Sequence, residues 1–393
     1  MASDVDNEED DGSMRITAVT AYDLWEESHS WLNETLIANP MSIYPRYHDR
    51  RSSWNGPPQG GVLVLVETDE GITGIGMGGG GEPAALIIEK HFTTFLRGAD
   101  PFNIEVLWDQ MFRASLPYGR KGTAIMAISG VDLALWDIVG KATNQPVYRL
   151  IGGQTKERIP VYGTGNHVEW YKAHGYRGFK LAMPHGPADG YAGMRANVEL
   201  VRASREAIGL DAELMLDCYM AWTVEYSVRM AEMLEPYRVR WIEEFLPPDD
   251  IEGYAEVKRH VRGLSTATGE HEYTRFGFRE LIDRKAADIL QPDINWVGGL
   301  SESIKICHMA AAAGLPVIPH GGGSPWGVHL IMANVNCPLA ETFIEPGVRV
   351  EDEQPGLLLG GARPKDGYIV PPEAPGFGLT LNEDLFKAIA ARR

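Results

Sequence analysis

The sequence predicts an α/β protein whose larger part is a parallel (β/α) barrel. Three observations point there. From Ile159 onward, short apolar segments alternate with amphipathic helical stretches, the grammar of repeated strand–helix units. Six polar or ionisable residues stand at the carboxyl ends of successive segments, roughly one such unit apart. The first ~145 residues obey a different rule, strands first and helices after, which marks a separate α+β portion.

Taken in order, residues 1–13 read as a solvated acidic tail, with six of the chain's acids between Met1 and Asp11. Arg15–Asp23 and Val62–Thr68 have strand character, and Asp69-Glu70-Gly71 turns the second into Ile72–Gly76 as a hairpin. Gly78–Gly81 reads as a mobile loop, since no phosphate-binding Lys-Ser/Thr pair follows it. Ala124, Ala127, Ile128, Val131, Ala134, Leu135, Ile138 and Val139 recur at three- and four-residue steps, the buried face of a long helix ended by Asn144 and Pro146. Strands then follow at Gly178–Leu181, Glu213–Asp217, Arg240–Glu244, Ala287–Gln291, Pro316–Pro319 and Leu339–Phe343. Helices at Val224–Leu234, Arg275–Lys285 and Leu300–Ala313 lie between them. An open doubly wound sheet is the alternative, but no GxGxxG opens a helix after a first strand.

Composition narrows the function. With 36 basic and 54 acidic residues in 393, the net charge is −18, and about −12 without the tail. That excludes a phosphate-backbone binder, so no nucleic-acid partner is expected. Cys218, Cys307 and Cys337 are too few and too scattered for a disulfide framework or a zinc site. No apolar run approaches the ~18 residues of a membrane span, and the amino end has no signal-peptide pattern. A soluble cytoplasmic enzyme without a membrane partner is the expectation.

The chemistry lies in the series at the strand ends: Asp217, Glu243, Glu270, Asp293, His320 and Glu341, at intervals of 26, 27, 23, 27 and 21 residues. In a barrel these ends share one mouth, so the six side chains converge. Asp217, Glu243 and Glu270 make a hard, all-oxygen set suited to Mg²⁺, and three buried like charges call for a divalent cation. Asp293 beside His320 would fix the imidazole tautomer and raise its basicity, giving a general base. Metal plus base suits removal of a proton α to a carboxylate. Glu341, if protonated, would donate a hydrogen bond to the developing oxyanion. Singly, an acid at a strand end is usually a helix cap or a solvated turn, and Glu244 is read as such a neighbour or as a support for the ligands beside it. Only the phase of the whole series carries the reading.

The segment Ala127–Gly153, AISGVDLALWDIVGKATNQPVYRLIGG, resembles the signature stretch of the enolase superfamily, mandelate racemase subgroup. The resemblance spans nearly all of Arg15–Asn382. It implies a (β/α)7β TIM-like barrel with an N-terminal α+β capping domain completed by the C-terminal segment. The chain then divides into a tail at 1–13, a cap at 14–145, a barrel at 146–345 and a returning segment at 346–393. The family's Mg²⁺ ligands fall on Asp217, Glu243 and Glu270, its base on His320 and that base's partner on Asp293. IANPMSIYPRYHDRRSS, LMLDCYM, RWIEEFLPP, TGEHEYT and QPDINWVGGL are similar to the subgroup's sugar-acid dehydratases. From them Arg51 and His29 in the cap, and His271 after Glu270, are implied as substrate-binding residues, and a homo-oligomer is implied.

The strand Gly178–Leu181 separates two reactions. Racemases of this subgroup carry a Lys-x-Lys-like pair there, which supplies a second base. Here Lys180 is followed two residues on by Ala182, which faces the same way and takes no proton. Lys180 is expected to meet a substrate carboxylate as a point charge. One base suffices for elimination, so a dehydratase acting on a sugar acid is favoured, with a racemase or epimerase using Lys180 as the alternative. His185 is a further candidate for the mouth.

Overall fold

The computed structural model describes residues 12–25, 36–48, 53–343 and 356–392. The acidic tail, apart from Gly12 and Ser13, lies outside the described residues. The amino-terminal sheet runs β1 (Ile16–Asp23), β2 (Gly61–Thr68), β3 (Thr73–Gly79), antiparallel and in that order. Helix Thr123–Ala142 lies across it. The close approach depends on three alternate glycines of β3. A Cβ on Gly74, Gly76 or Gly78 would stand 2.1, 2.0 or 2.3 Å from the carbonyl oxygens of Ala134, Gly130 and Met126. Two residues of strand advance about 6.6 Å and four of helix about 6 Å, so the two periods stay in step.

The glycine run therefore corrects one expectation. It is no mobile loop: Gly79 ends β3, and Gly80, at φ 89°, caps the helix Gly81–Ile87. Helix Thr123–Ala142 has two packed faces. By length and composition it could cross a membrane, yet most of it is buried inside the fold. Its first face meets the sheet. Its second meets the barrel helix Gly299–Ala312, where Ser129 Oγ accepts from Gly298 N (2.8 Å) and Asp132 accepts from Ser301 N (3.0 Å) and Ser301 Oγ (2.6 Å). Asp137 accepts from Ile75 N at 2.9 Å and from Phe377 N at 3.0 Å, joining β3 to the carboxyl-terminal segment. That segment also packs Phe386 against Tyr22 of β1, with ring centroids 5.1 Å apart.

The barrel strands are β4 (Ile159–Thr164), β5 (Gly178–Ala182), β6 (Glu213–Asp217), β7 (Trp241–Glu243), β8 (Ser265–Thr268), β9 (Ile289–Leu290) and β10 (Ala340–Thr342). All neighbours are parallel, and β10 pairs β4. The expected strand at Pro316–Pro319 is reduced to a parallel bridge between Val317 and Leu290. Two of its four residues are prolines, which have no N–H for a ladder.

Tyr162, Met215, Trp241, Ala267, Ile289 and Ile318, from six barrel positions, form a buried apolar floor inside the barrel. Side chains two residues apart on a strand share a direction. Stepping two residues up from the floor gives Thr164, Asp217, Glu243, Gln291 and His320. The polar mouth is thus the next layer of the same pleat.

Candidate active site

His320 follows the Val317 bridge, and its Nδ1 lies 2.7 Å from Asp293 Oδ2. Asp293 is itself held: its Oδ1 accepts from Asn295 N at 2.7 Å. The carboxylate is placed to accept the Nδ1–H hydrogen bond, which leaves Nε2 facing Glu270 Oε2 at 3.8 Å. Burial disfavours the imidazolium, but Glu270, Asp293 and Glu341 around the ring raise its pKa well above the ordinary value.

Asp217 and Glu243 are register partners on β6 and β7, and Glu270 follows β8 after Gly269 (φ 135°). All three are buried. Burial pushes Asp217 up to about 6, against the pull of Lys180 and with the push of Glu270 and Glu244. It pushes Glu243 and Glu270 up to about 7, against Lys180 and His320 respectively. Glu270 Oε2 is buried with no hydrogen-bond partner. Hard oxygen donors whose charge the protein alone leaves costly, one of them an orphan, fit a divalent cation such as Mg²⁺.

The three acids are not equivalent. Glu243 turns into the barrel, where Oε1 pairs with Lys180 and Oε2 accepts from Gln291 Nε2 (2.6 Å) and Trp241 Nε1 (3.0 Å). Its neighbour Glu244, at φ 44°, turns outward. There its Oε2 meets His271 Nδ1 at 2.7 Å. Among the described residues, ligand atoms of Glu244, Glu270 and His271 all lie within 4.8 Å of one another. Glu244 thus stands beside Glu270 in the site. Burial works against the His271 cation, yet Glu244 and Glu270 raise its pKa to about 9.

Lys180 and Glu341 meet each other inside the barrel. Lys180 does not present its charge to the open mouth. It is fully buried, pairs with Glu243, and lies 2.7 Å from Glu341 Oε1 and 3.6 Å from Asp217 Oδ2. Glu341 is placed as an acceptor. Its oxygens accept from Lys180, from Thr164 Oγ1 and from Gly321 N (3.0 Å). Burial would raise its pKa, but Lys180, His320 and these hydrogen bonds hold it below the usual value.

Ala182 is paired with Asp217 across β5 and β6, and packs with Ile37, Trp54 and Tyr219. His185 stands apart from the acids, with Nδ1 3.4 Å from Asp189 Oδ1, an oxygen that also meets His48 Nε2 at 2.8 Å. Arg51 and His29 lie outside the described residues. The sequence reading passed over Thr164, Gln291, Asn295 and Trp296. The two-residue step on a strand was the available signal for Gln291, which precedes Asp293 by two, and for Thr164, which follows buried Tyr162 by two.

Comparison with known proteins identifies the family. Residues 165–385 match the family model described as enolase C-terminal domain-like, and residues 57–152 match the mandelate racemase / muconate lactonizing enzyme N-terminal domain. The chain is 42% identical over 369 residues to an L-rhamnonate dehydratase of Saccharopolyspora erythraea, covering 93% of this chain and 92% of that one. The crystal structure of L-rhamnonate dehydratase from Gibberella zeae is similar at TM-score 0.88 and 40% identity, over 96% of this chain and 95% of that chain. A second structure of the Gibberella zeae enzyme, complexed with Mg, matches at TM-score 0.88 and 39% identity over the same shares. A racemase from Streptomyces coelicolor with bound magnesium is more distant, at TM-score 0.78 and 26% identity over 95% of this chain and 99% of that one. An imidazole–carboxylate pair and a ring of acids at the mouth of a capped barrel, matched along both parts of the chain, place it in the enolase superfamily, among the mandelate racemase / muconate lactonizing enzymes.

Proposed function

We propose that the chain is an Mg²⁺-dependent hydro-lyase that removes water from a six-carbon aldonate, with L-rhamnonate its substrate and a 2-keto-3-deoxy acid its product. The observation that carries this is the asymmetry of the site. His320 is one positioned base, while the second strand offers Ala182 against an apolar cluster and a Lys180 whose ammonium is held by acids. Inversion needs a second proton carrier on the opposite face, whereas elimination does not.

His320 Nε2 takes the C2 proton, and the C2–H electron pair moves toward the carboxylate. As the C3–O bond breaks, the same imidazolium returns that proton to the departing hydroxyl, which leaves as water. The enol that remains becomes the 2-keto acid. Asp293 keeps the Nδ1 proton in place through both transfers. Asp217, Glu243 and Glu270 would hold Mg²⁺, which supplies positive charge to the substrate carboxylate as its negative charge grows. Glu341 and Lys180 set the charge beneath it, and His271 faces the substrate hydroxyls from beside Glu270. His29 and Arg51 of the cap are proposed to bind the far end of the sugar acid.

The same reading divides the chain into a cap at 14–145, a barrel at 146–345 and a returning segment from 346. A cytoplasmic setting is supported by three buried free thiols. A homo-oligomer is supported by the exposed Leu116, Tyr118 and Phe276 beside the cap–barrel groove, and sedimentation would measure it.

The test is direct. Protein, Mg²⁺ and L-rhamnonate should yield a 2-keto-3-deoxy acid, and a chelator should abolish the reaction. L-lyxonate, L-mannonate and D-arabinonate belong on the same panel. No product from any of them defeats the proposal, and C2 inversion without loss of water would make the enzyme an epimerase.

A further inference from the structure

The turn that follows Asp293 is tied to the cap, and nothing in the reaction just described uses that tie. Asn295 N donates to Asp293 Oδ1 at 2.7 Å, while Asn295 Nδ2 donates to Met77 O, on strand β3 of the cap, at 2.7 Å. Next in sequence, Trp296 packs its indole against both active-site imidazoles, with ring centroids 5.2 Å from His320 and 5.6 Å from His271. Its five-membered ring also meets Gly79, where a Cβ would stand 2.9 Å from Trp296 Cδ1 and Nε1. Met77 and Gly79 flank Gly78, which is pressed on the backbone of helix Thr123–Ala142. The end of β3 is therefore a fixed edge, and it touches the turn of the dyad at two consecutive residues.

We infer that Asn295 is a positioning residue for the base. It holds the Asp293 carboxylate, and through it the His320 ring, against the cap, while Trp296, wedged on Gly79, sets the plane of the ring. The physical need is plain. Asp293 lies on a connection rather than inside a strand, and a base must be kept within about 0.5 Å and 10–20° of its working geometry. A bond to a sheet edge 218 residues away in sequence supplies that rigidity, and makes the competence of the base depend on a seated cap.

The inference rests on the dehydratase reading and deepens it, so the experiment keeps the two apart. In the Mg²⁺-loaded full-length protein, Asn295→Ala removes the bond to Met77 and leaves the backbone donor to Asp293. Asn295→Asp keeps the shape and loses the donor. Both should lower kcat about 10- to 100-fold, the usual range for groups that orient others in such sites. KM should change less than about threefold. The kinetic isotope effect on kcat with C2-deuterated substrate should rise above that of the wild type, because a misaligned base makes proton removal limiting. Gly79→Ala, which displaces Trp296, should share this pattern. A merely structural residue would lower the active fraction and leave the isotope effect unmoved, and that result overturns the inference, as does wild-type kcat in Asn295→Ala. If the wild-type protein turns over no sugar acid, the functional reading has failed. The positioning role is then read from the NMR signal of the His320 Nδ1 proton: a shift in Asn295→Ala supports it, and an unchanged signal sinks it.

Discussion

Lys180 Nζ stands 2.7 Å from Glu341 Oε1 in the interior of the barrel, and the same ammonium pairs with Glu243 and reaches Asp217 at 3.6 Å. One cation on β5 thus binds together acids from β6, β7 and β10. Its pKa is raised well above the ordinary lysine value, since the surrounding carboxylates outweigh the burial that would deprotonate it. Lys180→Met keeps much of the volume and deletes the charge. Breaking a buried ion pair from one side leaves its partners unpaired, so the variant should lose about 3–5 kcal/mol of stability in urea denaturation. A loss below about 1 kcal/mol would show that Glu243 and Glu341 do not need the ammonium.

Asp293→Asn should damage the enzyme more than Asp293→Ala. Asn295 N donates to Oδ1 at 2.7 Å, so the side-chain oxygen of an introduced asparagine stays there and its NH₂ takes the place of Oδ2. That NH₂ would donate to His320 Nδ1, force the proton onto Nε2 and remove the base. The expected fall in kcat is about 10³- to 10⁴-fold, the range for a wrong imidazole tautomer. Equal activities in the two variants would show that the tautomer is not what Asp293 controls.

Much of this site was legible because the barrel repeats. Asp217, Glu243, Glu270, Asp293, His320 and Glu341 are one strand–helix unit apart, and the parallel sheet delivers all six to one end. What the spacing could not show was which way each carboxylate turns. Glu243 and Glu244 are adjacent, and their spacing does not say that one meets Lys180 and the other, at φ 44°, meets His271. The ionisation of Glu341 was equally hidden, because it is set by Lys180 and Thr164 from other strands. Strand β8 has the sequence STAT and so lacks the large apolar residues that mark its neighbours. The glycine run was misread because its purpose, contact with a helix some fifty residues on, is tertiary.

The metal-free protein should become less stable as pH rises. Asp217, at about 6, and Glu243 and Glu270, at about 7, bind protons more tightly when folded than when unfolded. Between about pH 4 and 7 the native state therefore holds more protons than the unfolded chain, and stability falls across that window. Mg²⁺ competes with those protons, so its stabilising effect should grow with pH. Thermal denaturation with Mg²⁺ and with chelator, at pH 5.5 and pH 8, checks this. The rise in Tm on adding Mg²⁺ should be larger at pH 8, and equal rises would mean that these carboxylates do not hold the ion.

Gly76→Ala should unfold the cap at a cost that backbone strain cannot account for. A Cβ at residue 76 would stand 2.0 Å from Gly130 O and 2.6 Å from Ala134 N, both backbone atoms of a helix wedged between the sheet and the barrel. Neither can move without breaking contacts on its other side, such as those of Ser129 and Asp132 with the Gly299–Ala312 helix. Gly71→Ala is the natural control. Its φ of +77° strains any other residue, but nothing lies within 4 Å of its Cβ position. That strain costs about 1–2 kcal/mol, whereas overpacking against fixed backbone at Gly76 should cost about 3 kcal/mol or more, above the usual range for an added methyl. Chemical denaturation of the two variants measures the difference. If Gly71→Ala proves as damaging as Gly76→Ala, the match between the strand and helix periods is not what seats the cap.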